Sequence, residues 1–318
     1  MSAVGHRELD VVVLGSLHMD LIAIASRLPQ RGETVLGGPF SMQPGGKAGN
    51  QAAAAARQGV RTAIVARVGD DLFGRELQSR MATVGVDTSF IQVDAGNATG
   101  ASTVLAENGG EYASIIVPGA GMALSVDELS TAQGALNTCA VLLLQLETPA
   151  ATSEIAARIT RAAGGFVILN PSPLAEDCQQ PVEPSLMEHV DLLVVNCREA
   201  QIMSQLHVKT PQDGRLAGLQ MIETTGVGAA VITLGAEGAV VVTAEYWRHV
   251  AAFPTKVVDT IGAGDALTGA LAAALARGEP MERALVLGAA AAALTVSGHG
   301  AFDALPTYEA TLALAGRG

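Results

Sequence analysis

At 318 residues, 49% of them hydrophobic and only 16% charged, the chain has enough apolar side chain for a large buried core, and its composition excludes a disordered one. Its 31 acidic against 19 basic residues leave a formal net charge of −12. That field repels polyanions, no run of Lys and Arg reverses it locally, and nucleic acid is therefore not an expected partner.

The first strand is expected over 10–16, DVVVLGS, and no apolar stretch of signal-peptide type precedes it. The chain then reaches Asp20 in GSLHMD and enters 17–45, where polar and apolar residues alternate between Gly and Pro. A glycine cluster, PGGKAGNQAAAAARQG (44–59), opens a helix over 47–58 and is followed by a strand at 62–68 and a helix at 74–84. Residues 98–118 alternate as 17–45 do. The two stretches predict antiparallel strands forming a small β-sheet lid on the main domain.

Helices are expected over 126–138, 150–163, 198–206, 212–226, 265–277 and 281–297. Between them lie strands at 140–147, 165–170, 191–196, 229–235 and 239–243. Strands apolar on both faces, alternating with helices, predict an α/β fold with a mostly parallel sheet. The Ala/Leu runs near 284–296 are too short to span a bilayer, so no membrane contact is expected and the cytoplasm is the expected location. Cys139, Cys178 and Cys197 are scattered, without CxxC spacing, and read as small buried hydrophobes rather than a disulfide framework or zinc site.

In an open α/β sheet, ligands bind outside the carboxyl ends of the strands, where several apolar runs here close on polar residues. Glu147, Asn170, Asn196, and Thr233 with Gly235 stand at such ends. Any one of them alone reads first as a strand-end cap or turn former, but together they predict a common cleft. In DTIGAGD (259–265) a helix starting near Ala263 would leave the N–H groups of Gly262, Ala263 and Gly264 free at its positive end, a site for a phosphoryl group. Asp265 beside it reads as a base that takes the proton of an attacking hydroxyl, or as a first-turn acid stabilising its helix. The 44–59 cluster is no Walker loop, and no G-x-G-x-x-G follows the first strand. Gly45 and Gly46 would still let a ligand approach the backbone, with Asn50 one turn on.

These motifs resemble the ribokinase-like (PfkB) family of carbohydrate and nucleoside kinases, on its ribose-kinase side, over essentially the whole chain as one domain of 1–318. GGKAGNQAAAAARQG with VGDDLFG is similar to the family's N-terminal signature, DTIGAGDALTGAL to its C-terminal one, and LLQLETP, LNPSP, VNCREA and VITLGAEG fall between in family order. The resemblance implies a three-layer α/β/α fold with the lid over 17–45 and 98–118, and transfer of phosphate from ATP to the primary hydroxyl of a small sugar. It makes Asp265 the base and Gly262, Ala263 and Gly264 the anion hole. Asp20, Gly46, Lys47, Asn50 and Glu147 match the positions that hold sugar hydroxyls. Asn196 and Glu199 match a pair that positions Mg²⁺ through water, and Thr233, Gly235 and Gly238 match the nucleotide-binding turn. Asp259 with the Ile261 carbonyl matches part of a K⁺ site, and family habit implies a homodimer through the lid.

His18, Ala304, Gly288 and the order GGKAGN depart from the commoner family residues, and Gly288 would leave the adenine side more open. With 3% aromatic residues and none in 41–52, a small polar sugar is favoured over a nucleoside, D-ribose first. The alternatives are another sugar, sugar-acid or nucleoside kinase, or a silent sugar- or nucleotide-sensing protein. A nicotinamide oxidoreductase lacks its glycine fingerprint.

Overall fold

The computed structural model describes residues 9–107, 112–174 and 182–316. Cys178, and 108–111 of the stretch expected to help form the small sheet, lie outside the described residues. Nine strands make the main sheet: β1 (Val11–Leu14), β4 (Thr62–Gly69), β5 (Val86–Asp94), β8 (Val141–Leu144), β9 (Phe166–Leu169), β10 (Leu192–Asn196), β11 (Ala229–Thr233), β12 (Ala239–Thr243) and β13 (Trp247–Val250). Their order is β13-β12-β11-β10-β9-β8-β1-β4-β5, parallel from β11 to β5 and antiparallel only at β12 and β13.

Successive side chains leave a strand on opposite faces, so each buried strand feeds two cores. Val11 and Val13 of β1 join Val141 and Leu143 on one face, while Val12 and Leu14 join Leu142 and Leu144 on the other. The first face is covered by α1 (Lys47–Arg57), α8 (Ala263–Ala276) and α9 (Met281–Thr295), with α2 (Leu72–Thr83) and α10 (Tyr308–Ala315) at its margin. The second is covered by α3 (Leu129–Thr138), α4 (Ala150–Ala162), α5 (Pro184–Met187), α6 (Cys197–Ser204) and α7 (Pro211–Thr225). This is the expected three-layer α/β/α arrangement.

The 17–45 and 98–118 stretches do meet in a second sheet, ordered β3-β2-β6-β7, of β2 (His18–Ala25), β3 (Phe40–Gly45), β6 (Gly100–Glu107) and β7 (Tyr112–Val117). Here the antiparallel expectation needs correction. The two hairpin pairs are antiparallel, but β2 and β6 run parallel over their whole length, His18 against Gly100 through Ala25 against Glu107. The reason is topological: β2 continues from β1 and β6 from β5, both parallel strands of the main sheet, so the two leave it from one edge in one direction. One face of this small sheet exposes large apolar residues, among them Phe40, Met42 and Ile115.

The same parallel arrangement fixes where chemistry can be. The carboxyl ends of β1, β8, β9, β10 and β11, five neighbours, share one edge, and α8 begins above it. Among the described residues no helix is long and apolar enough to cross a membrane.

Candidate active site

The start of α8 divides the cleft at this edge. Gly262 caps the helix at φ +77°, which only glycine adopts readily, and an added Cβ there would come within 2.4 Å of Ala301 Cβ. Of the three N–H groups expected to be free, those of Gly262 and Gly264 have no partner among the described residues. Ala263 N–H instead leans on Thr260 O at 3.4 Å, a weak turn bond that closes the first turn. Gly264 is exposed, and a Cβ on it would meet nothing within 4 Å, so bare main chain faces open space there.

On one side of α8 lies a cavity of about 900 Å³. Thr233, Gly235 and Gly238 from the β11–β12 turn, Asn196 and Cys197 at the β10–α6 junction, and Ala263 and Gly264 all line it. Its opposite walls are apolar: Phe253 and Pro254 from the irregular 252–257 segment, and Ala289, Ala292 and Ala293 of α9. The 252–257 wall was not foreseen from sequence, whereas the helix over 281–297 was expected on the adenine side through Gly288. Gly288 is not part of this cavity. It faces α8, where a Cβ would press Leu267 O at 2.9 Å, so it sets helix spacing and does not open the site. Cys139 is buried as expected, but Cys197 is only half-buried and its thiol donates to Thr233 O at 3.4 Å.

On the other side lies a polar cluster. Asp265 is 9% exposed, and both carboxylate oxygens are held: Oδ2 accepts from Asn50 Nδ2 at 3.1 Å and Oδ1 from Gln51 Nε2 at 2.9 Å. Burial pushes this carboxyl above its ordinary range, while the Lys47 charge and the two amides pull it back. Glu147 accepts from the Lys47 main-chain N–H at 3.0 Å and from the Ser16 hydroxyl. Asp20 accepts from Ser102 Oγ at 2.8 Å, and a Cβ at Gly45 would strike its carboxylate. Burial raises Asp20 as well, against the Ser102 bond and the nearby His18. Gly46 caps α1. The buried atoms His18 Nε2 and Asn50 Oδ1 have no partner among the described residues.

Asn196 and Glu199 form a reciprocal capping box at the start of α6: Glu199 N–H donates to Asn196 Oδ1 and Asn196 N–H to Glu199 Oε2, both at 2.9 Å. Asp259 accepts from Ile261 N–H at 2.9 Å and Gly300 N–H at 3.0 Å, tying the loop before α8 to the loop after α9.

A model of the pfkB family carbohydrate kinases matches residues 8–308. The chain belongs to that family. With the family goes the class of activity, an ATP-dependent sugar kinase of the ribokinase group. The chain is 33% identical over 304 residues to a ribokinase of Haemophilus influenzae, covering 95% of this chain and 97% of that one. It is 29% identical over 301 residues to a deoxyribokinase of Salmonella typhi, covering 95% and 97%. Among solved structures it is similar to an Arabidopsis thaliana ribokinase complexed with ribose and ATP, with TM-score 0.86 and 29% identity over 96% of this chain and 98% of that one.

Within this kinase, the sugar-side residues expected from sequence fall in one cluster and the nucleotide-side residues around one cavity. Sequence reasoning missed Gln51 and Gln145, both fully buried. A lone amide inside the apolar run AVLLLQLE was the available signal for Gln145.

Proposed function

We propose that this kinase transfers the γ-phosphate of ATP to the primary hydroxyl of a small sugar, D-ribose first among acceptors, with Asp265 as base and the amides at 262–264 as anion hole. One observation carries the reading. The uncovered helix start stands between a nucleotide-sized cavity and a buried carboxylate, so a phosphate leaving one side reaches an oxygen held on the other without leaving the helix dipole.

Phosphoryl transfer asks chiefly for alignment and charge stabilisation. Asp20, Glu147, Lys47, Asn50 and the Gly46 main chain are the groups for sugar hydroxyls, and the unpaired Asn50 Oδ1 and His18 Nε2 suit hydroxyl partners. Two amides donating to Asp265 favour its ionised form, which is the form that accepts a proton. The small sheet acts as a lid that keeps water, a competing acceptor, from the phosphate.

Among the described residues no cluster of three or more His, Cys, Asp or Glu could grip a metal directly. Glu199 commits one oxygen to its capping box, and its other oxygen with the Asn196 amide fits Mg²⁺ held through its waters and the triphosphate. Bound there, Mg²⁺ neutralises phosphate charge. Asp259 and the Ile261 carbonyl are the place for K⁺, although Ala304 brings no hydroxyl to it. The apolar face of the small sheet supports a homodimer, and light scattering that gives a monomer at micromolar concentration rejects it.

The deciding experiment is ADP release over pentoses including 2-deoxyribose, hexoses, sugar acids and nucleosides, with and without potassium. The expected outcome is turnover highest with D-ribose. Release with a nucleoside alone rejects the sugar assignment, and release with none of them moves the sensing alternative ahead.

A further inference from the structure

The residue that holds Asp265 Oδ1 was not among those expected, and its surroundings leave it one orientation. Asn170 Nδ2 lies 2.8 Å from Val194 O of β10. A main-chain carbonyl can only accept, so the Asn170 NH₂ must face it and Asn170 Oδ1 must face Gln51. Gln51 then has to present its own NH₂, and does: Nε2 donates to Asn170 Oδ1 at 3.1 Å and to Asp265 Oδ1 at 2.9 Å. Its oxygen accepts from Gln145 Nε2 at 2.7 Å. Both hydrogens and the carbonyl of a fully buried amide are thus committed, and the direction of each bond follows from one backbone carbonyl.

The approach that makes this possible is close. Gly269, one turn beyond Asp265, lies so near α1 that a Cβ would come within 2.6 Å of Gln51 O. We propose that Gln51 is a positioning residue for phosphoryl transfer: its amide, oriented from β10 through Asn170, holds Asp265 by one carboxylate oxygen and sets the angle at which the acid meets the acceptor hydroxyl. The inference rests on Asp265 being the base.

The test measures kcat, KM for D-ribose and ATP, the pH dependence of kcat and the melting temperature in Gln51→Met, Asn170→Ser and Asp265→Asn. Losing a hydrogen bond to a charged group lowers kcat of Gln51→Met about tenfold or more, with both KM values within about twofold of the parent. The acid limb of its pH profile moves to higher pH, because a donor favouring the carboxylate is gone. Asn170→Ser, at a half-buried position, frees the Gln51 amide to turn and gives the same signature more weakly; it decides the matter if Gln51→Met does not fold. Unchanged kcat and acid limb in either folded variant, with only the melting temperature lowered, overturn the proposal. If Asp265→Asn keeps normal turnover, the base assignment has failed instead. If Asp265→Asn is inactive and the other two match the parent, positioning alone has failed.

Discussion

The two sides of α8 solve different problems with different materials. The proposed nucleotide side is a roomy cavity walled by alanines, Pro254 and Phe253, with few polar side chains. The proposed sugar side is tight, and its carboxylates are held by hydrogen bonds fixed in direction. A large ligand with its own charge and a metal can be bound by shape and main chain, whereas a small acceptor must be aimed. The contrast teaches that substitutions on the sugar side should disturb the chemical step, and those on the cavity side mainly donor affinity.

The hardest test is Asp265→Asn. Removing a general base is expected to lower kcat about 10³-fold with modest changes in either KM. In the parent enzyme the acid limb of kcat/KM should lie above the usual carboxylate range of about pH 4, because burial raises this group.

Next comes a pair within one motif. Gly264→Val places its side chain in open space, so stability changes by less than about 0.7 kcal/mol, the scale of helix propensity. The new side chain covers the bare amides, and kcat/KM for ATP is expected to fall about 10²-fold, as when an oxyanion donor is removed. Gly262→Ala inverts the pattern. Its positive φ and the contact with Ala301 should lower stability by about 1–3 kcal/mol, read from thermal or urea melting.

Ala293→Leu narrows the cavity from the α9 wall. An overpacked site loses about 1 kcal/mol of donor binding, a several-fold rise in KM for ATP with KM for the sugar unchanged. A change in the sugar KM would break the division drawn here.

The smallest effect concerns stability and pH. The folded Asp20 carboxyl keeps its proton to higher pH than the unfolded one, so stability falls as pH rises between those two values and the full penalty persists above them. Asp20→Asn keeps an oxygen for Ser102 and removes the charge. Relative to the parent it should be the more stable protein once the pH exceeds the unfolded carboxyl's range, measured by urea unfolding between about pH 4 and 8.

What could be read from the amino acids follows the same physics. Strands apolar on both faces announced a parallel sheet, and a parallel sheet puts its polar strand ends on one edge, so Glu147, Asn170, Asn196 and Thr233 were legible as a cleft. Edge strands were not: the apolar residues of β5, VDTSFIQVD, follow no regular alternation, and β13 is only four residues long and half polar. The cavity wall at 252–257 has no period to detect. Gln51 carries no local signal either, because a glutamine early in a helix is an ordinary helix former. Only the packing of α8 on α1 brings it to Asp265. The parallel β2–β6 pairing was likewise invisible, since alternation reports an exposed face and says nothing of strand direction.

The glycines flanking α8 have a mechanical consequence. Gly269 sets the helix against the backbone of α1, and Gly288 lets α9 press on Leu267 O from the other side. A rod wedged between two neighbours at main-chain distance has no slack to slide or roll, since any shift meets hard atoms rather than pliable side chains. The proposed base and amides would therefore behave as an anvil, and the travel in a catalytic cycle would fall to whatever carries the acceptor onto it.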